Sequence, residues 1–582
     1  MNKRPMLNTI CRRVRTLASL ASLAFLPFAC AGKPRVEPAT LVLNQGRIVT
    51  VDDQKPEAQA LAARGDTIVA VGTNDEIVPY IGPETRVVDL HGRLAIPGFI
   101  DGHGHFTGVG QARITLNLTK VKNWDEVVAM VKDAALKARP GEWIRGRGWH
   151  QDKWDQKPQP AVEGFPTHHS LSGVSPNNPV VLTHSSGHAS FANAKAMELA
   201  GVAGKTPNPP GGEILKDQKG APTGLFRETA SRLLQAAYDK AREGMKPEEV
   251  EAETRREVQL ADGEVVAKGV TSFQDAGSSF ETIDVFKKVA AEGKLGVRLF
   301  VMIRDTNERM ATRLAAYRLI DGYDRHLTVR AIKHTIDGAL GSRGAWLLEP
   351  YSDLPSSTGL NTTPVPTVEE TAKLAMANGY QLCVHAIGDR ANRETLNIFE
   401  AAFKANPDKK DVRWRVEHAQ HLSPADIPRF GQLGVIASMQ GIHCTSDAVF
   451  VPARLGDRRS EEGAYVWQKL MKSGAIVSNG TDAPVEDVDP IPNFYASVTR
   501  KLADGSTFYP DQRMSRAEAL RSYTLNAAFA AFEEGSKGSL RAGKLADMVV
   551  LSRDILTIPE EEIKAARVDY TIVGGRVLHE GR

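Results

Sequence analysis

The stretch that decides the fold is Pro97-Gly-Phe-Ile-Asp-Gly-His-Gly-His105. It is a short apolar run that ends in two histidines separated by one residue. Because side chains alternate along a strand, His103 and His105 lie on the same side if this run is a strand. Two neutral imidazoles that converge at a strand end can bind one metal ion such as zinc. The alternative is a pair of histidines in an ordinary turn.

Apolar, strand-like runs alternate with stretches of helical periodicity through the middle of the chain. This alternation is typical of repeated βα units. Eight such runs predict an α/β fold with a closed, parallel (β/α)8 TIM barrel over residues 96–537. The candidate barrel strands are residues 95–100, 270–273, 299–303, 329–333, 381–385, 413–417, 434–439 and 476–478.

Two other regions depart from this rhythm. Residues 139–246 are rich in Gly, Pro, Trp and His, and we expect them to form a lobe inserted in the barrel that covers a site. Short β segments separated by turn residues occur in residues 35–95 and again in 538–582. Because strands at the two ends of a chain often pair and so tie down both termini, these segments predict one composite β-sandwich.

The N-terminus has the pattern of an export signal. Basic residues precede an Ala/Leu-rich apolar run over residues 17–31, so we expect residues 1–31 to be a signal peptide and the protein to be periplasmic or secreted. Lipid anchoring at Cys30, twin-arginine export through Arg12 and Arg13, and a retained membrane anchor are the alternatives. No later stretch approaches the ~18 uninterrupted apolar residues of a membrane helix, so we expect no stable membrane span after cleavage.

Composition narrows the classes of function. The 73 basic and 70 acidic residues are spread along the chain and leave a net charge of only +3, which argues against a nucleic-acid partner. Of the four cysteines, only Cys383 and Cys444 lie beyond the leader, so the chain is not a disulfide scaffold. A small-molecule substrate is the expected partner, and a homodimer stays open.

The first motif resembles the amidohydrolase superfamily, in which Pro-Gly-hydrophobic-hydrophobic-Asp-X-His-X-His closes the first barrel strand. The resemblance is greatest to the family 3 branch, typified by N-substituted formamide deformylases and YtcJ-like proteins. Further segments that carry it are residues 337–345 (Asp-Gly-Ala-Leu-Gly-Ser-Arg-Gly-Ala), 384–392 (Val-His-Ala-Ile-Gly-Asp-Arg-Ala-Asn) and 415–420 (Arg-Val-Glu-His-Ala-Gln).

The resemblance implies metal ligands beyond His103 and His105. His385 and His418 match the ligands at the ends of strands five and six, with His421 the less favoured choice. Asp482 matches the strand-eight aspartate that binds metal and acts as the catalytic base. The implied cofactor is a divalent metal, with one or two zinc ions expected.

Lys333 matches the lysine that binuclear members carry as a CO2 adduct, N6-carboxylysine. Since an unmodified ammonium would be repelled by a dication, a ligand lysine must lose its charge. The alternative is an ordinary lysine in a salt bridge with Asp337 or Glu417.

The resemblance also suggests contacts with a substrate. His188 lies in a Gly-His-Ala segment of the predicted lobe, and Gln440 and His443 follow strand seven; we expect these three residues to bind substrate. The implied reaction is cleavage of the C–N bond of a non-peptide amide by a metal-activated water. Cyclic amides, carbamates, esters and phosphate esters stay open as substrates, as does a non-catalytic regulatory role.

Overall fold

The computed structural model describes residues 36–581. The predicted signal peptide, with Cys30, lies outside these residues. Within the described range, none of the helices combines the length and apolar character needed to cross a membrane.

The chain begins with short strands of two small sheets. One of them has the strand order β5-β4-β1-β6. The elements are β1 (Leu41–Asn44), β2 (Arg47–Val49), β3 (Glu57–Ala58), β4 (Ala60–Arg64), β5 (Thr67–Gly72), α1 (Asn74–Ile77), β6 (Arg86–Asp89) and β7 (Leu94–Pro97).

The single strand predicted at residues 95–100 is two strands, and this corrects the sequence-based boundary. The barrel begins only with β8 (Phe99–Gly104), and Gly98 separates it from β7. A Cβ at Gly98 would lie 2.2 Å from the side chain of Thr271, so only glycine fits this close approach. The dipeptide Pro97-Gly98 within the apolar run is a turn signal that indicates such a break.

A lobe with its own sheet follows β8. Its strands have the order β15-β16-β14-β13-β10-β9, and β11 pairs with β12. This sheet starts at Leu116, ahead of the expected start at residue 139, because β9 pairs with β10. The elements are α2 (Phe106–Gln111), β9 (Leu116–Asn117), α3 (Trp124–Ala135), β10 (Ile144–Trp149), β11 (Ala161–Val162), β12 (Phe165–Pro166), α4 (His169–Val174), β13 (Val180–His184), β14 (Ala189–Ala192), α5 (Ala194–Leu199), β15 (Gly212–Lys216), β16 (Pro222–Glu228) and α6 (Ser231–Ala241).

The remaining βα units complete the predicted barrel, whose strand order is β8-β17-β18-β20-β21-β22-β23-β24 with parallel pairing throughout. The elements are α7 (Pro247–Ala267), β17 (Val270–Ser278), α8 (Phe280–Ala291), β18 (Arg298–Ile303), α9 (Asn307–Tyr317), β19 (Leu319–Asp321), α10 (Gly322–Arg325), β20 (Leu327–Thr335), α11 (Val365–Asn378), β21 (Gln381–Ala386), α12 (Asp389–Ala405), β22 (Arg415–His418), α13 (Ile427–Leu433), β23 (Ile436–Gln440), α14 (Gly441–Ser446), α15 (Val451–Leu455), α16 (Asp457–Gly463), α17 (Trp467–Lys472), β24 (Val477–Gly480), α18 (Pro490–Thr499), α19 (Arg516–Ser522) and α20 (Leu525–Ala530).

The last three strands return to the start of the chain. They are β25 (Met548–Leu551), β26 (Val568–Val573) and β27 (Arg576–Glu580). β25 pairs antiparallel with β7, which gives a sheet of order β27-β26-β25-β7-β2-β3. Apolar side chains of both terminal regions, including Leu43, Ile48 and Met548, share one buried core. Burial of this core ties both ends of the fold together.

The barrel closes where β24 meets β8. The backbone N–H of Asp482 donates to the carbonyl of His103 at 2.7 Å, and that of His105 donates to Ala483 at 2.7 Å. Asp101 fastens the same seam, because its carboxylate accepts from the backbone N–H of Thr481 at 3.0 Å and from the Thr481 hydroxyl. The first and last strands are thus joined at their carboxyl ends.

The seam requires a residue without a side chain at Gly480. A Cβ there would lie 2.3 Å from the backbone nitrogen of His103, so Gly480→Ala is expected to lower the free energy of unfolding by about 1–3 kcal/mol. Denaturant unfolding measures this loss. The matched control is Gly263→Ala in α7, where an added Cβ meets no heavy atom of the described chain within 4 Å and stability should rise by about 0.5–1 kcal/mol. Equal stability of the two variants would contradict the tight closure.

Candidate metal centre and active site

The residues predicted to bind metal lie at one end of the barrel. His103 and His105 end β8, His385 is in β21 and His418 ends β22. Asp482 follows β24 by two residues. Since the carboxyl ends of parallel barrel strands meet on one face, these side chains converge from distant parts of the sequence.

Asp482 is the common neighbour of the histidines. Its Oδ1 lies 3.2 Å from Nε2 of His105 and 3.6 Å from Nε2 of His103. Its Oδ2 lies 3.9 Å from Nε2 of His443. Two groups of three, His103–His105–Asp482 and His418–His443–Asp482, each have their potential ligand atoms within 4.8 Å of one another. Such a set of nitrogen and carboxylate donors suits zinc and similar divalent ions.

Hydrogen bonds at the far side of two rings set their orientation. Nδ1 of His103 donates to the carboxylate of Glu417, and Nδ1 of His418 donates to the side-chain oxygen of Gln440 at 2.7 Å. Each bond leaves the lone pair of Nε2 free to bind a metal, which is the usual arrangement behind metal-bound histidines. Gln440 therefore contacts His418, the ring that it orients.

Burial keeps the imidazoles neutral. It lowers the pKa of His103 to about 4, with a further contribution from the charge of Lys333. Burial likewise lowers the pKa values of His385 and His418 well below their usual range. Neutral imidazole is the form that binds metal. Burial alone would raise the pKa of Asp482, but its contact with Nε2 of His105 and the neighbouring imidazoles lower it, so the carboxylate is ionised.

Several buried polar atoms of the cluster have no hydrogen-bond partner in the described chain. They are Nε2 of His103, Nε2 of His385, Nε2 of His443 and Oδ1 of Asp482. An unsatisfied buried donor or acceptor costs about 1–3 kcal/mol, so a group of them calls for an explanation. Three of these residues, His103, His443 and Asp482, belong to the two groups whose potential ligand atoms lie within 4.8 Å of one another, and bound cations would satisfy their unpartnered atoms. The donor set therefore fits a metal.

Two of the predicted ligand positions have strained backbone. His418 has φ 75° and Asp482 has φ 56°, both in the left-handed region that costs a non-glycine residue about 1–3 kcal/mol. Regular strand geometry would put Glu417 and His418 on opposite faces. The left-handed turn at His418 is consistent with both side chains reaching the His103 ring, with which His418 has a centroid separation of 4.7 Å.

Lys333 is buried in β20 and lines the same cavity as His105, His385 and Asp482. Among residues 36–581 it forms no ion pair with a carboxylate. Burial lowers its pKa to about 8, although the charges of Glu417 and Asp482 act in the opposite direction. The uncharged form, which the reaction with CO2 would require, is therefore a minor but far larger fraction near neutral pH than for an ordinary lysine.

Neither carboxylate that could have paired with Lys333 does so. Asp337 accepts from the backbone N–H groups of Trp346, Ile387 and Gly388 at 2.8–3.0 Å and so holds together the loops that follow β20 and β21. Glu417 forms an ion pair with Arg415 at 2.7 Å in addition to its bond with His103.

The cavity above this cluster has a volume of about 390 Å³, and a smaller chamber of about 40 Å³ adjoins it. His188 from the lobe lines both, and its ring lies 4.8 Å from that of His385. Nδ1 of His188 bonds to Glu228 at 2.7 Å. Burial would lower the pKa of His188, but the charge of Glu228 and this bond raise it. His443 lines the small chamber.

Sequence reasoning missed several residues that the fold brings to the site. The sequence suggested Glu417 only as a salt-bridge partner of Lys333. Its position directly before His418 was the available sign that it lies near the metal centre. Arg147, Arg232 and Arg304 line the cavity but belong to no motif. Their placement depends on the lobe and on the loop after β18.

Comparison with known proteins identifies the family of this chain. A family model described as "Amidohydrolase family" matches residues 86–579. The chain belongs to the amidohydrolase family. The resemblance seen in the sequence is therefore confirmed.

Individual relatives match over almost their whole length. Protein LONG AFTER FAR-RED 3 of Arabidopsis thaliana is 34% identical over 93% of this chain and 92% of its own. The N-substituted formamide deformylase of Arthrobacter pascens is 28% identical over 93% and 98%. An uncharacterized metal-dependent hydrolase of Pyrococcus horikoshii has a similar structure, with a TM-score of 0.70, 25% identity, and coverage of 90% of this chain and 99% of its own. Together these matches support a metal-dependent hydrolase.

Metal binding is expected to distinguish His418 from its neighbour His421. His418→Asn is expected to lose most of the bound zinc, because it removes a neutral imidazole from the cluster. His421→Asn is the matched control: it is equally buried but lines a separate depression, so its metal content should equal that of the parent protein. Elemental analysis after zinc loading and dialysis measures both. Equal zinc content in the two variants would remove His418 from the metal centre.

Proposed function

We propose that this chain hydrolyses the C–N bond of a non-peptide amide in a metal-dependent reaction. The observation that carries the proposal is the convergence of buried, unpartnered ligand atoms of His103, His443 and Asp482 at the carboxyl end of the barrel. Membership in the amidohydrolase family supports hydrolysis. The deformylase relative, whose name specifies a substituted formamide, supports an amide substrate.

His103, His105, His385, His418 and Asp482 would hold the metal, for which we propose zinc. The metal supplies a water whose pKa falls from its bulk value to roughly 7, together with Lewis-acid polarisation of the scissile carbonyl. Glu417 and Gln440 keep the proton of two rings on Nδ1, so that Nε2 stays available.

Asp482 would act as the general base. Its carboxylate is ionised and lies against the imidazole cluster, so it can accept a proton from the attacking water. As the water oxygen bonds to the carbonyl carbon and the C–N bond breaks, the same proton passes from Asp482 to the leaving nitrogen. The products are a carboxylic acid and an amine, and every proton is accounted for.

The lobe would cover the reacting groups. His188 projects from it into both chambers, and its pair with Glu228 keeps a proton available for hydrogen bonding to the substrate. Exclusion of bulk water strengthens such polar contacts. The small chamber, lined by Leu340, Ile387 and Phe450, suits a short acyl group such as formyl.

Asp482→Asn tests the catalytic base. The amide side chain keeps the shape but cannot accept the proton, so kcat on N-formyl and N-acetyl amides should fall by about 10²–10⁴-fold. The control is Asp487→Asn, an exposed loop position whose oxygen accepts a backbone hydrogen bond from Asp489; it should retain the parent kcat. Undiminished turnover by a metal-loaded Asp482→Asn protein would rule out this mechanism.

We further propose that Lys333 carries CO2 as N6-carboxylysine and helps to hold a second metal ion. After incubation with zinc and ¹³C-bicarbonate, the protein should show one carbamate carbon resonance. Lys333→Met should lack the resonance and bind less zinc, whereas Lys268→Met, which removes a lysine paired with Asp489, should keep both. A parent spectrum without a carbamate signal would contradict the modification.

A further inference from the structure

The larger cavity has a cationic wall beside the candidate metal centre. Arg147, Arg232 and Arg304 all line it, together with Lys333. In the described chain, the carboxylates among its lining residues are Asp482 and Glu228. Asp482 contacts His105 at 3.2 Å and Glu228 bonds to His188 at 2.7 Å, and neither forms an ion pair with these arginines.

Arg304 comes from the barrel, one residue after β18. Its backbone N–H donates to Ser278 at 2.9 Å, and its side chain crosses Gly277. A Cβ at Gly277, which has φ 123°, would lie 2.9 Å from Cδ of Arg304 and 3.4 Å from Cβ of Lys333. The glycine thus leaves the room that Arg304 occupies beside Lys333. Arg304 forms no ion pair with any carboxylate in residues 36–581.

The other two arginines come from the lobe. One Nη of Arg147 in β10 donates to the carbonyl of Ser185 at 3.2 Å, but its buried Nε has no partner in the described chain. Arg232 in α6 is exposed to the cavity and, like Arg147, has no carboxylate partner within the described range. By contrast, Arg227 of the same lobe is paired with both Glu163 and Glu213.

Electrostatic energies agree with this geometry. Burial lowers the pKa of Arg147 to about 10. Burial, followed by repulsion from Arg232, also lowers the pKa of Arg304. Arg304 and Arg232 are nevertheless exposed to the cavity and Arg147 is half-buried, so all three can reach a ligand. A bound anion would supply the counter-charge that they lack within the described chain.

We propose that the substrate carries an anionic group, a carboxylate or a phosphate, which Arg304, Arg147 and Arg232 bind in the larger cavity. This inference rests on the proposed hydrolase function and specifies its substrate class. The guanidinium group matches both anions because its N–H donors form paired, charge-assisted hydrogen bonds with their oxygens.

Matched amides test the inference with the zinc-loaded protein. The substrates are N-formyl-4-(carboxymethyl)benzylamine, its methyl ester and its phosphonate analogue. The parent protein should favour at least one acidic amide over the ester by about tenfold or more in kcat/KM, since hydrogen bonds to charged groups contribute this much or more. The preferred arm, carboxylate or phosphonate, identifies the anion.

Variants assign the preference to the arginines. Arg304→Gln and Arg147→Gln should each reduce the ratio of acidic to neutral kcat/KM by roughly 10- to 100-fold. The control is Arg145→Gln, which lies in the same strand but stacks on Tyr238 at 4.7 Å; its ratio should match that of the parent. A ratio near one in the parent, or an unchanged ratio in Arg304→Gln, would overturn the inference.

A binding measurement separates this inference from the proposed function. Titration of the zinc-loaded protein with 4-(carboxymethyl)benzylamine, its phosphonate analogue and its methyl ester reports recognition of the anion without catalysis. Tighter binding of an acidic amine that depends on Arg304, with no amide cleaved, would support the anion site and refute the amidase. If the protein instead cleaves the ester-bearing and the acidic amide at equal rates, and binds the corresponding amines equally, the amidase is supported and the anion site is refuted.

Discussion

Closure of the barrel between its first and last strands is the constraint on which the candidate centre depends. His103 and His105 belong to β8, whereas Asp482 follows β24, almost four hundred positions later in the sequence numbering. Because the backbone N–H of Asp482 bonds to the carbonyl of His103 at 2.7 Å, the side chains must meet. Asp101 fastens this seam through Thr481, and burial raises the pKa of Asp101 to about 7. The closure therefore depends on a buried carboxylate, whose transfer out of water costs free energy.

Buried charged groups also support the imidazole cluster. Arg415 is fully buried in the barrel and bonds to the carbonyl of Gly102, the hydroxyl of Ser438 and the carboxylate of Glu417. A buried ion pair is weak evidence for stability, because desolvation offsets its attraction. Here the pair leaves Glu417 ionised, and the carboxylate then fixes the tautomer of His103. An apolar core could not orient the His103 ring in this way.

The sequence predicted the barrel well because each buried parallel strand is an apolar run of its own. The motif at His103 was equally readable, since alternation along one strand determines which side chains share a face. The local sequence pattern did not predict side-chain positions that depend on a backbone turn or on a tertiary contact. Glu417 and His418 reach the same ring only with the left-handed turn at His418. Arg304 enters the cavity because Gly277 leaves room for it. The hydrophobic periodicity of the sequence does not predict this placement.

In the proposed reaction, hydrolysis and substrate recognition draw on different residues of the fold. The barrel supplies the imidazoles, Asp482 and Arg304, while the lobe supplies His188, Arg147 and Arg232. An anionic substrate presents such a centre with a difficulty, because a carboxylate is itself a good ligand for divalent metals. Arginines can compete for that group without presenting a Lewis acid, and their positive potential also attracts the substrate into the cavity. An arginine wall outside the imidazole cluster therefore favours a bound substrate whose amide, rather than its acid, faces the centre.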